Sequence, residues 1–144
     1  MEPKRLALLR HAKSSWSDPS LDDHDRPLND RGRRAAHQVG AYFRQHGIAP
    51  SLVLCSSALR TRQTLELLQL GGNPEILIEA GLYGAGAGDL LARLQGVDRA
   101  VPFVLLIGHN PGVHALAVAL TGQGDDIGEF PTAALAELSA PIGG

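Results

Sequence analysis

Leu6-Ala7-Leu8-Leu9-Arg10-His11-Ala12 is the stretch on which the reading of this chain turns, because an unbroken apolar run gives way at once to a cation and an imidazole. A strand buried on both faces reads as a continuous aliphatic run, and ligands of open α/β sheets gather at the carboxyl ends of such strands. The run predicts a buried strand over residues 6–9 with His11 at the mouth of a site. Similar runs at residues 52–55, 76–78 and 103–107 predict further strands, and helical signals separate most of them. This alternation predicts an α/β fold, a mostly parallel central sheet covered by helices.

The helices carry their own punctuation. The first is expected to take Asn29 or Asp30 as its cap, to run through Ala35, Ala36, Val39, Gly40 and Phe43, and to stop at Gly47. The second is expected over residues 58–70, ending at Gly71-Gly72, and a shorter third over residues 89–94. In Gly108-His109-Asn110-Pro111-Gly112 the asparagine suits a cap and the proline the first helical position, so a fourth helix over residues 113–120 begins beside His109. A last strand is expected over residues 133–138.

At 144 residues the chain has the length of one domain, and residues 1–144 are read as such. A formal net charge of -2 provides no broad basic field, which argues against nucleic acid or an anionic membrane surface as partner; any anion site must be local. The single cysteine, Cys55, excludes an intramolecular disulfide, and the amino terminus lacks the apolar segment of a signal peptide. A cytoplasmic location is the expectation.

Arg10 and His11 follow the first predicted strand, Arg60 the second, and His109 the strand over residues 103–107. In a parallel sheet these positions share one edge. Arginines, histidines and the free amides of a helix start converging there suit a dianion such as a phosphoryl group, because the planar guanidinium fork pairs two oxygens at once. Arg26, pinned by Pro27 shortly before a capped helix, is placed to close the pocket from the side.

Together, Leu8-Leu9-Arg10-His11-Ala12, Arg26-Pro27-Leu28, Ser56-Ser57-Ala58-Leu59-Arg60-Thr61-Arg62-Gln63-Thr64 and Gly108-His109-Asn110-Pro111 resemble the motifs of the histidine phosphatase superfamily, in the family's order. The branch they most resemble is that of the small SixA-type phosphohistidine phosphatases. The resemblance implies a phosphoglycerate mutase-like three-layer sandwich, its central mostly parallel sheet flanked by helices. It also implies a phosphohydrolase that needs no metal or other cofactor. In it His11 attacks phosphorus and Arg10, Arg26, Arg60 and His109 form the phosphate pocket.

Members that cleave phosphate esters add a carboxylic acid to protonate the leaving alkoxide. Glu79, after a predicted strand, is the candidate here, while Asp22-Asp23-His24-Asp25 reads as a solvated loop. Phosphohistidine leaves as imidazole, a far weaker base than an alkoxide, and so needs less proton donation. That favours a phosphorylated protein as substrate. A phosphatase, or less readily a mutase, for a small phosphorylated metabolite is the alternative, and a noncatalytic phosphate-binding module stands outside the enzymes. The SixA-like relatives commonly continue through further strand and a tail, which leaves the last sheet edge expected either to be covered by a partner or to lie already at the periphery.

Other signals are set aside. Cys55 and Arg60 enclose four residues where cysteine phosphatases place five, so Cys55 reads as a buried strand residue. His109 and His114 are five apart and face different sides of a helix, which does not suit a zinc pair. His24, His37 and His46 read as surface residues, and Trp16 as a packing residue or part of the pocket rim. Gly84-Ala85-Gly86-Ala87-Gly88 reads as a flexible connection, and Arg31, Arg33 and Arg34 as the exposed coat of the first helix.

Overall fold

The computed structural model describes residues 4–121 and 135–140. The elements in chain order are β1 (Lys4–Arg10), α1 (Asp30–Gln45), β2 (Leu52–Ser56), α2 (Leu59–Leu68), β3 (Glu75–Glu79), α3 (Ala87–Gln95), β4 (Phe103–Gly108), α4 (Gly112–Thr121) and β5 (Leu135–Ala140), with short 3-10 turns at Asp23–Asp25 and Ala80–Leu82. They form a five-stranded sheet in the order β3-β2-β4-β1-β5. The β3-β2, β2-β4 and β4-β1 pairings are parallel, and β5 runs antiparallel to β1.

The aliphatic runs are continuous because each central strand feeds two cores at once. Side chains alternate across a strand with a period of two. Leu6 and Leu8 of β1, Leu52 and Leu54 of β2, and Val104 and Leu106 of β4 pack with Leu90, Leu94, Val113 and Leu116 on one face. Their neighbours Ala7, Leu9, Val53, Cys55, Leu105 and Ile107 pack with Phe43 and Leu68 on the other. Helices α3 and α4 thus cover one side and α1 and α2 the other, giving the three layers expected. Cys55 is fully buried, and burial pushes its thiol up to about 12.

Asn29 caps α1, its side chain accepting from the amide of Gly32 at 2.7 Å. Gly40 lets α1 approach α2 closely, since a Cβ there would stand 2.1 Å from the carbonyl oxygen of Leu68. The second helix ends at Leu68, before the expected boundary, because Gln69 already adopts a left-handed conformation with φ of 49°. Edge strand β3 leaves Ile76 and Ile78 about half exposed, unlike the runs of the central strands. The expected last strand is present over Leu135–Ala140 as the antiparallel edge beside β1; residues 133 and 134 lie outside those described. Among the described residues no helix is long and apolar enough to cross a membrane.

Candidate active site

The ends of β1, β2 and β4 meet at one edge, as the parallel order requires. His11 directly follows β1, and its amide donates to the carbonyl of Gly108 at the end of β4, 3.1 Å away. The next peptide is fixed from α2: the amide of Ala12 donates to Thr64 Oγ1 at 3.1 Å, and the Thr64 hydroxyl in turn donates to the Arg60 carbonyl. Thr64 lies one helical turn beyond Arg60, so one face of α2 carries both the clamp on the His11 loop and the arginine that faces it.

His11 is almost fully buried. Its Nδ1 lies 2.6 Å from the carbonyl oxygen of Ala12, a contact that only a protonated Nδ1 satisfies. The lone pair is therefore on Nε2, where the Nε–H of Arg60 reaches it at 3.3 Å. Burial lowers the His11 pKa to about 4 despite the opposing bond to Ala12, and the charges of Arg60, Arg10 and Arg26 push it the same way. The imidazole is neutral at pH 7.

His109 follows β4, its ring centroid 5.1 Å from that of His11. Its Nε2 lies 2.8 Å from the Oγ of Ser56, the last residue of β2, while its Nδ1 is buried with no hydrogen-bond partner among the described residues. Burial, then His11 and Arg60, lower its pKa to about 3. Arg10, at the end of β1, has its own pKa lowered by burial and by Arg60, so the two guanidinium groups share one field.

The acidic loop is not simply solvated, contrary to expectation. Asp23 holds both remaining arginines: its Oδ2 lies 2.9 Å from Arg60 Nη2, its Oδ1 accepts from Arg26 Nε at 3.1 Å, and its carbonyl accepts from Arg60 Nη1 at 2.6 Å. Tyr83 also donates its hydroxyl to Oδ2. The Tyr83 hydrogen bond, reinforced by Arg60 and Arg26, holds the Asp23 carboxyl well below the usual carboxylate range. His24 is likewise engaged, with Nε2 2.8 Å from Ser57 Oγ and its ring edge-on to Tyr83.

Arg26 is therefore beside the cluster, with most of its donors already engaged. Besides Asp23, it donates to Ser14 Oγ at 2.8 Å and to the Ser15 carbonyl at 3.2 Å, and its guanidinium lies 3.4 Å above the exposed ring of Trp16. The segment around it is tied down by the amide of Ser15 on the Pro27 carbonyl and the amide of Leu28 on Gln63. Glu79, opposite Ser56 at the end of β3, pairs with α3, where Arg93 grips both its oxygens, at 2.7 and 2.8 Å.

The structure brings the expected Arg10, His11, Arg60 and His109 to one edge, and sets beside them Asp23, Tyr83 and Ser56, which sequence reasoning did not single out. Asp23 carried a readable signal, since its spacing of three before Arg26 suits an ion pair across a tight helical turn. Tyr83 arrives through the 3-10 turn after β3, which no periodicity announces.

The histidine phosphatase superfamily (branch 1) model matches residues 6–123 of the chain. The chain belongs to the histidine phosphatase superfamily. This histidine phosphatase is 38% identical over 138 residues to an uncharacterised protein of Mycobacterium tuberculosis, covering 90% of the chain and 85% of the relative. It matches a protein of Agrobacterium tumefaciens, provisionally named phosphohistidine phosphatase SixA, with a TM-score of 0.88 and 33% identity over 96% of this chain and 92% of that one. A structure of the protein histidine phosphatase SixA complexed with tungstate matches with a TM-score of 0.81 and 26% identity, over 92% of this chain and 86% of that one. The histidine phosphatase is accordingly a phosphatase of α/β fold, similar in structure to SixA proteins.

Proposed function

We propose that this phosphatase removes the phosphoryl group from phosphohistidine on another protein, through a covalent phosphohistidine on His11. The observation that carries the reading is the bond from His11 Nδ1 to the Ala12 carbonyl, which leaves a neutral ring with its lone pair on Nε2. Nε2 attacks phosphorus in line, and the bond from phosphorus to the substrate nitrogen breaks with its electron pair on the leaving ring. Water then attacks phosphorus, the bond to Nε2 breaks, and phosphate departs with the protons of that water. The proton stays on His11 Nδ1, hydrogen-bonded to the Ala12 carbonyl, throughout. Arg10 and Arg60 hold the phosphoryl oxygens as charge redistributes, His109 donates to one of them, and Arg26 acts from the side through Asp23.

The substrate class is supported by which acids are already engaged. Asp23 is held ionised by Tyr83 and the two arginines, and Glu79 is bound by Arg93. A leaving alkoxide would need a proton that neither is placed to give, whereas a phosphoimidazole protonated on its distal nitrogen leaves as neutral imidazole without one. The similarity to SixA proteins, one of which is complexed with tungstate, a tetrahedral oxyanion, supports the same reading.

The test is phosphate release from a phosphohistidyl peptide by the intact protein and by His11→Ala, each with a chelator present, beside a sugar phosphate as competing substrate. Release that requires His11 and favours the peptide is expected. Substantial release by folded His11→Ala would overturn the nucleophile, and a strong preference for the sugar phosphate would overturn the substrate class.

A further inference from the structure

The two histidines of the site are held by different partners, and the difference determines what each ring offers. The His11 ring directs its Nδ1 proton to a carbonyl, so a lone pair faces Arg60. The His109 ring is held at the other nitrogen, by a hydroxyl that can either donate or accept. A neutral imidazole carries one proton, so the direction of the Ser56 bond decides whether the remaining nitrogen of His109 is a donor or an acceptor.

The surroundings of Ser56 determine that direction. Ser56 is fully buried. Its Oγ already accepts the amide of Ala58 at 3.4 Å, and its own carbonyl is taken by the Thr61 hydroxyl at 2.7 Å. Among the described contacts the one acceptor within reach of the Ser56 hydroxyl proton is His109 Nε2. Were His109 to donate instead, that buried proton would be left without a protein acceptor among the described residues, at a cost of about 1–3 kcal/mol. The Nδ1 lone pair would be stranded as well. With Ser56 donating, the hydroxyl is satisfied, and one group alone is left over: a buried Nδ1–H.

We propose that Ser56 is a positioning residue that donates to Nε2 of His109 and so places the His109 proton on Nδ1, where it serves as the hydrogen-bond donor to a phosphoryl oxygen. The inference rests on the reading of this edge as a phosphate pocket. Both histidines then carry their proton on Nδ1, yet one presents a lone pair to phosphorus and the other a donor to oxygen. The device needs no charge on His109, which suits a ring that its surroundings keep neutral. The sheet supplies the placement: β2 and β4 are adjacent, with Cys55 opposite Ile107, so the residue ending β2 stands beside the residue following β4.

The test reads the tautomer without turnover. Nitrogen-15 shifts of the His109 ring at neutral pH are expected to show the proton on Nδ1 in the intact protein and displaced wholly or partly to Nε2 in Ser56→Ala. Affinity for inorganic phosphate should fall about tenfold in that variant. Ser56→Cys, close in shape but a poor donor, gives the same readout should Ser56→Ala not fold. A wild-type proton on Nε2, or variants that keep both the tautomer and the phosphate affinity, would overturn the proposal. Absence of phosphate binding to the intact protein would instead overturn the pocket while leaving the tautomer measurement standing.

Discussion

Arg60 Nε lies 3.3 Å from Nε2 of His11, so in the resting protein an arginine N–H caps the lone pair that the proposed reaction uses. The terminal nitrogens of the same guanidinium are held by Asp23. In the proposed mechanism, an arriving phosphoryl group exchanges the cap for a charge-assisted bond to one of its own oxygens, which uncovers the lone pair when phosphorus is in place. Arg60→Ala should lower kcat/KM by about 100-fold or more, on the order of 3 kcal/mol of transition-state stabilisation. Arg60→Lys should recover only a minor part, since an ammonium lacks the fork. A phosphate-release assay with unchanged rates would remove Arg60 from the pocket.

Asp23→Asn keeps the shape of the clamp and removes its charge. We expect kcat to fall about tenfold, about 1.4 kcal/mol, as Arg60 and Arg26 lose their shared anchor. Inhibition by inorganic phosphate should tighten, because a carboxylate no longer competes for the same cations. Equal loss of turnover and of phosphate affinity would show that Asp23 supports the loop and does nothing more.

With the His11 pKa lowered to about 4, the nucleophile remains neutral well below the usual histidine range. The acid limb of kcat/KM should therefore lie near pH 4, and a limb near pH 6.5 would contradict the buried, cation-flanked setting. Stability follows the same sign. Both histidines titrate lower in the folded than in the unfolded chain, so the unfolded chain binds more protons as pH falls. Their contribution is present above about pH 6.5 and is lost as pH drops toward the folded values. Urea midpoints at pH 7 and pH 5 would show the decline, and an unchanged midpoint would contradict it.

Glu79→Gln tests the carboxylate that the sequence offered as proton donor. Its ion pair with Arg93 is partly exposed, so its loss should cost no more than about 1 kcal/mol of stability. Turnover of a phosphohistidyl peptide should stay within about twofold. A collapse of ester hydrolysis in this variant would restore Glu79 as the acid.

The legible part of this protein was the part written in runs and ends. Continuous aliphatic segments betray strands buried on both faces, and Asn29 and the glycines after α1 and α2 mark helix limits, so the gathering of Arg10, His11, Arg60 and His109 at one edge could be read by topology alone. The illegible part depends on loops closing over distance. Asp23 looks like one polar residue among four until the chain folds it onto Arg60, which lies 37 positions further on. Ser56 looks like the end of a strand until β4 becomes its neighbour. Glu79 read as a possible proton donor or a solvated loop carboxylate because it follows a strand, yet β3 is the edge of the sheet, and α3 supplies Arg93 to bind it.

Asp23 grips Arg60 twice, once through its carboxylate and once through its backbone carbonyl, and the second grip belongs to no particular side chain. The restraint is therefore split between spelling and route. Substitution at position 23 alters the charge felt by the arginine, while the path of the chain through Asp23–Asp25 still delivers an oxygen to Arg60 Nη1. Lengthening or shortening that loop by one residue would withdraw both grips together, so spacing is guarded more strictly here than identity.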